Sequence, residues 1–296
     1  MKKIVIYLLA LTLTGCLWSC DDDKPSGHSI FDTTVGPENE FEEWLLYNYV
    51  YPYNIEVKYK MEDIEADMKY TLAPAMPDKC VALAKAVKYL WLEAAGLTFT
   101  RTYTPRVIHM IGSGAYNTNN TVILGTAEGG LKITLYKVND IDPEHVTAAQ
   151  LNDAYLKTMH HEFAHILHQT KNYSTEYQNI TGKDYIGDDW SSNSQTEALA
   201  RSKGFISRYA RYSADEDFVE MISIFVTRDQ DAWEAMLEAS NTVAEGNKET
   251  GKALLEQKFE IVKDYLKNSW GIDIYELRSV VQRRGNSLGQ LDLTQI

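Results

Sequence analysis

The sequence predicts an α+β fold, a small β-sheet followed by a mainly helical C-terminal half. Two observations carry that reading. Strand-like runs are confined to the middle of the chain, at Arg106–Ile111, Thr121–Ala127 and Lys132–Val138, separated by glycine-bearing turns. After Val146 the apolar spacing becomes helical and stays so to the end, without the strand–helix alternation of a doubly wound sheet.

Taken in order, Glu40–Tyr51 reads as an aromatic-rich helix broken by Pro52-Tyr53-Asn54, and Met61–Met68 as a short charged helix. Pro77–Ala95 is a stronger helix, closed by Gly96. Beyond the strands, helices are predicted over Thr147–Thr170, Gln195–Lys203, Asp215–Arg228, Asp231–Ser240, Lys248–Ser269 and Ile274–Arg284. The segment Asn172–Asn193 is long for a structureless connection and is a functional-loop candidate.

Of 296 residues, 44% are apolar and 24% charged, which is globular composition with material for a sizeable core. The formal net charge of -13 argues against a nucleic-acid partner, because displacing counterions from phosphates needs a basic surface. Cysteines number 3, two of them near the N-terminus, which leaves Cys80 alone in an apolar helical stretch. One internal thiol makes neither an intrachain disulfide framework nor a cysteine zinc site, so Cys80 reads as a small buried hydrophobe.

Met1-Lys2-Lys3 followed by the apolar run Ile4–Leu13 reads as a secretory leader, too short to span a bilayer. The next residues resemble a bacterial lipoprotein signal, with two cysteines in place: Leu13-Thr14-Gly15-Cys16 and Leu17-Trp18-Ser19-Cys20. Cys20 is the favoured lipidation site and Cys16 the alternative. The run Asp21-Asp22-Asp23-Lys24 resembles the surface-export signal of certain Gram-negative outer-membrane lipoproteins. The expected organisation is a signal peptide over 1–19, a flexible tether over 20–39 and one domain over 40–296, anchored by lipid to the outer membrane and exposed at the cell surface.

The chemistry is concentrated at His161-Glu162-Phe163-Ala164-His165, an H-E-x-x-H motif inside a predicted helix. Residues four apart lie about 40° apart around a helix, so two imidazoles can close on one metal ion from one side. Glu162 falls within the apolar arc of Leu151, Tyr155, Leu156, Met159, Phe163, Ile166 and Leu167. A carboxylate there is costly unless something nearby uses it, and proton transfer from a metal-activated water would. His160 lies about 100° away and His168 about 10 Å along the axis from His161, so neither shares that ion. The His-x-x-Gly-x-x-His extension of metzincins is absent.

A third, acidic ligand is expected downstream. On a wheel over Asp215–Arg228, Glu216, Glu220, Ser223 and Thr227 form one stripe on an otherwise apolar helix. A stripe with two carboxylates needs a cation or donors opposite it. This assigns Glu216 to the metal and Glu220 to orienting a ligand histidine. The competing arrangement pairs the stripe with arginines such as Arg208 or Arg211. A further alternative takes Asp184, in Gly182-Lys183-Asp184-Tyr185-Ile186-Gly187, as the metal ligand, as in aspzincins, although Lys183 departs from that pattern.

His161-Glu162-x-x-His165 with Glu216-Asp217-Phe218-Val219-Glu220 resembles the gluzincin metallopeptidases, especially the branch like the lethal-factor protease domain. That resemblance implies a zincin-like domain, and a tyrosine seven residues before the ligand glutamate that assists the transition state; Tyr209 stands there. Trp44-Leu45-x-x-Asn48-Tyr49-x-x-Pro52-Tyr53-Asn54-Ile55 resembles the substrate-import-associated zinc metallohydrolase lipoproteins, from about Glu40 to the C-terminus. It implies association with an outer-membrane nutrient-import complex, and the site as read expects one Zn2+ per chain and a peptide or glycopeptide substrate. The different-class alternative is a non-catalytic surface binding lipoprotein with a structural zinc site, its 19 tyrosines serving as stacking platforms.

Overall fold

The computed structural model describes residues 36–62, 64, 66–96, 102–116, 122–123, 125–128 and 131–296. The expected leader, Cys16, Cys20 and most of the tether lie outside these residues. Asn39–Ile296 forms one unit.

Asn39 caps the first helix, its side chain accepting the Glu42 N–H at 2.9 Å. Helix α1 runs through Glu40–Leu45, a π-helical turn Leu46–Val50 and a last turn Tyr51–Tyr53. It stops at Asn54, in the left-handed conformation with φ 56°, so Pro52 lies inside the final turn rather than ending the helix. The wider turn sits just before the proline, where a backbone donor is missing. Helix α2 (Pro77–Val87, the π-helical turn Lys88–Leu92, and Glu93–Ala95) opens on Pro77 and ends at Gly96 with φ 87°. Cys80 is fully buried in α2, and burial pushes its thiol up to about 12.

The helix expected at Met61–Met68 is not found among the described residues of that stretch: Ile64 lies in a 3-10 turn, and the others are irregular backbone, a bend or a turn. Ile64 and Met68 are 90% and 80% exposed while Met61 packs against the small cluster of Ile111, Ala115 and Tyr136, so the apolar residues share no buried face that would hold a helix.

The sheet contains β1 (Glu56–Lys58), β2 (Val107–Met110), β5 (Gly125–Glu128) and β6 (Lys132–Leu135), in the order β1-β2-β6-β5. The first three strands in that order are parallel, and β5 runs antiparallel to β6 along the edge. Ile108, Met110, Ile133 and Leu135 bury one face. The strand expected over Thr121–Ala127 is two, β4 (Val122–Ile123), which pairs with β3 (Ala115–Tyr116), and β5. At two or three residues each, β1 and β3 are too short to leave a period-2 signature.

The helical half begins at Thr147, which forms a capping box with Gln150. Helix α3 comprises Ala148–Leu151, a π-helical turn Asn152–Leu156 and Lys157–Thr170. The segment Asn172–Asn193 folds into α4 (Glu176–Thr181) and 3-10 turns at Gly182–Asp184 and Gly187–Ser191. Then come α5 (Glu197–Ser202), α6 (Ala214–Thr227), α7 (Gln230–Ala239), α8 (Gly251–Trp270) and α9 (Ile274–Asn286). Every side chain of α6 from Asp217 to Thr227 is buried. Helix α6 lies against α3 on one side and α8 and α9 on others, so the two motif-bearing helices share the centre of the core.

Candidate metal centre

Helix α3 is held by the side chains that flank the motif. Met159, Phe163, Ala164 and Leu167 are buried, and Phe163 meets Trp91 of α2 edge-on at 6.0 Å. This packing turns His161 and His165 toward α6. On that helix Ser213 caps the first turn by accepting the Glu216 N–H at 3.3 Å, and Asp215, Glu216 and Asp217 suit the positive end of its dipole. Glu216 Oε2 stands 3.0 Å from His161 Nε2 and 3.4 Å from His165 Nε2. All three ligating atoms lie within 4.8 Å of one another. Atoms bound to a tetrahedral zinc with bonds near 2 Å stand about 3.3 Å apart.

The outer nitrogens fix what the inner ones can do. His161 Nδ1 lies 3.0 Å from Glu220 Oε1, and an ionised carboxylate only accepts, so Nδ1 carries the proton. His161 Nε2 then presents a lone pair to another carboxylate oxygen. Glu216 Oε2 is buried and receives no hydrogen bond. Facing lone pairs at this separation repel unless a proton or a cation lies between them. Burial pulls the His161 imidazole down, but the Glu216 and Glu220 carboxylates outweigh it and hold its pKa up at about 9. Burial would likewise raise the Glu216 carboxyl, and the two imidazoles hold it well below the usual carboxylate range. The donor set of two imidazoles and a carboxylate fits zinc.

Glu162 sits beside this cluster, half-buried, with its pKa raised by burial against the pull of both imidazoles. Tyr209 begins a 3-10 turn, Tyr209–Arg211, that packs against α6. Its ring lies 6.0 Å from the His161 ring, and its phenol is pushed far up by burial and by the adjacent Glu216. Glu220, 1% exposed, takes its countercharge from Lys157 at 2.6 Å rather than from an arginine. Arg208 instead lies over the Trp190 ring, and Arg211 donates to the Asp184 carbonyl.

Asp184 is not brought to the histidines. It pairs with Lys203 at 2.5 Å, and among the described residues the group able to hold a metal is His161, His165 and Glu216. His160 is buried, and burial pulls its imidazole down to about 4. His168 does not face the ligand cluster but approaches His165 Nδ1 through its Nε2 at 2.9 Å. Sequence reasoning missed Lys157, His168 and Ser207 as partners of the site. Lys157 and His168 carried a signal, at i−4 from His161 and i+3 from His165 on one helix. Ser207 lies in a loop and carried none.

An α+β domain whose central helix pair gathers two imidazoles and a glutamate defines a metal-binding protein with a hydrolase-like site. Residues 34–275 match the family described as "putative zinc-binding metallo-peptidase", and the chain belongs to that family. A solved structure of a "putative zinc-binding metallo-peptidase" from Bacteroides caccae ATCC 43185 is similar to it, with 42% identity and a TM-score of 0.73 over 90% of this chain and 100% of that one. No curated protein matches the chain.

Proposed function

We propose that the protein is a zinc-dependent peptidase whose metal is held by His161, His165 and Glu216, one ion per chain. The convergence of three acceptor atoms on one point beside the half-buried Glu162 supports this reading. Among the described residues that group has three members rather than four, which leaves a position for water or substrate and favours catalysis over a structural zinc site. Bound zinc supplies Lewis acidity toward a peptide carbonyl and toward water. Glu162 takes the proton of the attacking water and passes it to the leaving amine. The Tyr209 hydroxyl, kept protonated by its raised pKa, donates to the developing oxyanion. Glu220 holds His161 in the tautomer that presents Nε2. The edge strand β5 offers backbone groups along which an extended peptide or glycopeptide could lie.

The test separates ligand from base. Glu162→Gln retains zinc and loses hydrolysis, while Glu216→Gln loses both. Full hydrolysis by Glu162→Gln overturns the mechanism, and loss of zinc in Asp184→Asn but not in Glu216→Gln moves the third ligand to Asp184.

The lipobox-like residues and the acidic run after Cys20 support a lipid anchor in the outer membrane, a cell-surface location and work beside a nutrient-import complex. No helix among the described residues is long and apolar enough to cross a membrane. Lipid labelling that disappears in Cys20→Ala and persists in Cys16→Ala supports Cys20 as the anchor; the reverse moves it to Cys16.

A further inference from the structure

Ser207 joins the turn that carries Tyr209 to the carboxylate behind His161. Its Oγ accepts the Ala210 N–H at 3.1 Å, closing the turn that carries Tyr209. The same hydroxyl donates to Glu220 Oε2 at 2.6 Å. The other oxygen of that carboxylate, Oε1, receives His161 Nδ1 at 3.0 Å and the Lys157 ammonium at 2.6 Å. One buried carboxylate is therefore gripped from α3 on one oxygen and from the Tyr209 turn on the other.

We propose that Ser207 is a positioning residue that couples the placement of the Tyr209 turn to metal binding at His161, with Glu220 as the link. The physical basis is donor supply at a buried carboxylate. Without the Ser207 hydroxyl, Oε2 of the buried Glu220 is left short of a donor, which is unfavourable. The carboxylate regains a donor by turning toward the α3 side, and that rotation moves Oε1 off His161 Nδ1. A ligand histidine whose outer nitrogen loses its acceptor binds metal less well, typically by 10- to 100-fold. Coupling of this kind is reciprocal, so metal that fixes His161 also fixes the Glu220 rotamer and with it the turn. A serine that merely capped the turn would lower stability and leave metal affinity alone.

The peptidase reading enters only through what Tyr209 does; both readouts of the test proceed without turnover. Zinc affinity of the full chain is measured by competition with a chromophoric chelator. Amide exchange of the segment 205–213 is followed by mass spectrometry with and without zinc. Ser207→Ala is expected to weaken zinc binding by about tenfold or more, and Ser207→Thr, which keeps the hydroxyl, to restore it to within about threefold. Zinc is expected to slow exchange of the turn in the unmodified protein and in Ser207→Thr, and to lose that effect in Ser207→Ala. Should Ser207→Ala not fold, Ser207→Cys, of similar shape with a weak donor, is expected to weaken zinc binding in the same direction. Zinc affinity within about twofold of the unmodified protein in the folded variant, or zinc protection of the turn that persists without the hydroxyl, overturns the proposal. A protein that binds zinc with these properties but cleaves no peptide overturns the peptidase reading alone.

Discussion

Lys258 Nζ lies 2.5 Å from Asp217 Oδ2, and neither side chain reaches solvent. Burial pushes the Asp217 carboxyl up and the Lys258 ammonium down, each against the pull of its partner. Further partners complete the arrangement: the ammonium donates to the Gly204 carbonyl at 2.8 Å and lies over the Phe205 ring, and Asp217 accepts the Tyr185 hydroxyl at 2.9 Å. Asp217 follows Glu216 directly, so this pair pins the start of α6 to α8 and to the turn at Gly204. Removing one member leaves the other buried with hydrogen-bond partners but without its countercharge. Lys258→Met is expected to destabilise the zinc-free protein by about 3–5 kcal/mol in urea unfolding. The double variant Lys258→Met, Asp217→Leu regains at least half of that, and equal losses in single and double variants would show that the two charges are not coupled.

Metal binding gives the second prediction. His165→Ala removes one of the three proposed ligating atoms and is expected to weaken zinc by at least about tenfold, as read by chelator competition. Affinity of the unmodified protein falls as pH drops below about 9 and continues to fall into mild acid, because neutral imidazole is the form that binds and the His161 imidazole is held at about 9 without metal. Full zinc occupancy in His165→Ala would mean that the ion sits elsewhere.

Which parts of this site could be read from the sequence follows from the range of the interactions. His161, Glu162 and His165 lie within one helical turn and a fraction, so their spacing alone places them together. Glu216 and Glu220 were visible because two carboxylates stand on one stripe of a helix that is otherwise apolar, a conflict that demands a partner. The partner of Glu220 was harder to find: Lys157 is a solvated charge on its own helix until α6 packs across it. Ser207 is reached only through the folded loop between α5 and α6, and no periodicity announces it. His168 lies too far along the axis to share an ion with His161, yet that same distance lets it meet the outer nitrogen of His165. Met61–Met68 shows the reverse case: the local charge pattern is that of a helix, while Ile64 and Met68 stay exposed.

The third prediction concerns acid stability. Glu93, near the end of α2, receives Lys88 at 2.8 Å and Arg284 of α9 at 2.7 Å. Burial would raise its carboxyl, but the two cations outweigh burial and lower it. A carboxyl whose folded pKa is depressed stabilises the protein above its unfolded pKa, about 4.3, and loses that contribution as pH falls through the lower folded value. Glu93→Gln is therefore expected to cost about 1 kcal/mol at pH 7, a modest figure because the pair is partly solvated. The difference from the unmodified protein should shrink steadily below about pH 4 in urea titrations. A difference that stays constant across that window would assign the effect to packing rather than charge.

Tyr209 carries the last prediction. Its ring lies 6.0 Å from the His161 ring and is braced edge-on by Trp190 at 4.8 Å, so the phenol is held beside the candidate metal-binding group. Tyr209→Phe removes one hydrogen-bond donor while the ring, the brace and the three ligating atoms stay in place. If that donor serves the oxyanion, turnover falls by on the order of 100-fold, about 3 kcal/mol, with little change in KM or in zinc affinity. Tyr212 is the internal control: it is three residues on, exposed, and its ring stacks on Tyr209 at 6.2 Å. Tyr212→Phe keeps that ring contact and should turn over near the unmodified rate. A loss in Tyr212→Phe with none in Tyr209→Phe would make Tyr209 a packing residue. A rise in KM for Tyr209→Phe at unchanged kcat would instead place its hydroxyl on the bound substrate, equally favourable before and during the reaction, and remove it from the stabilisation of the transition state.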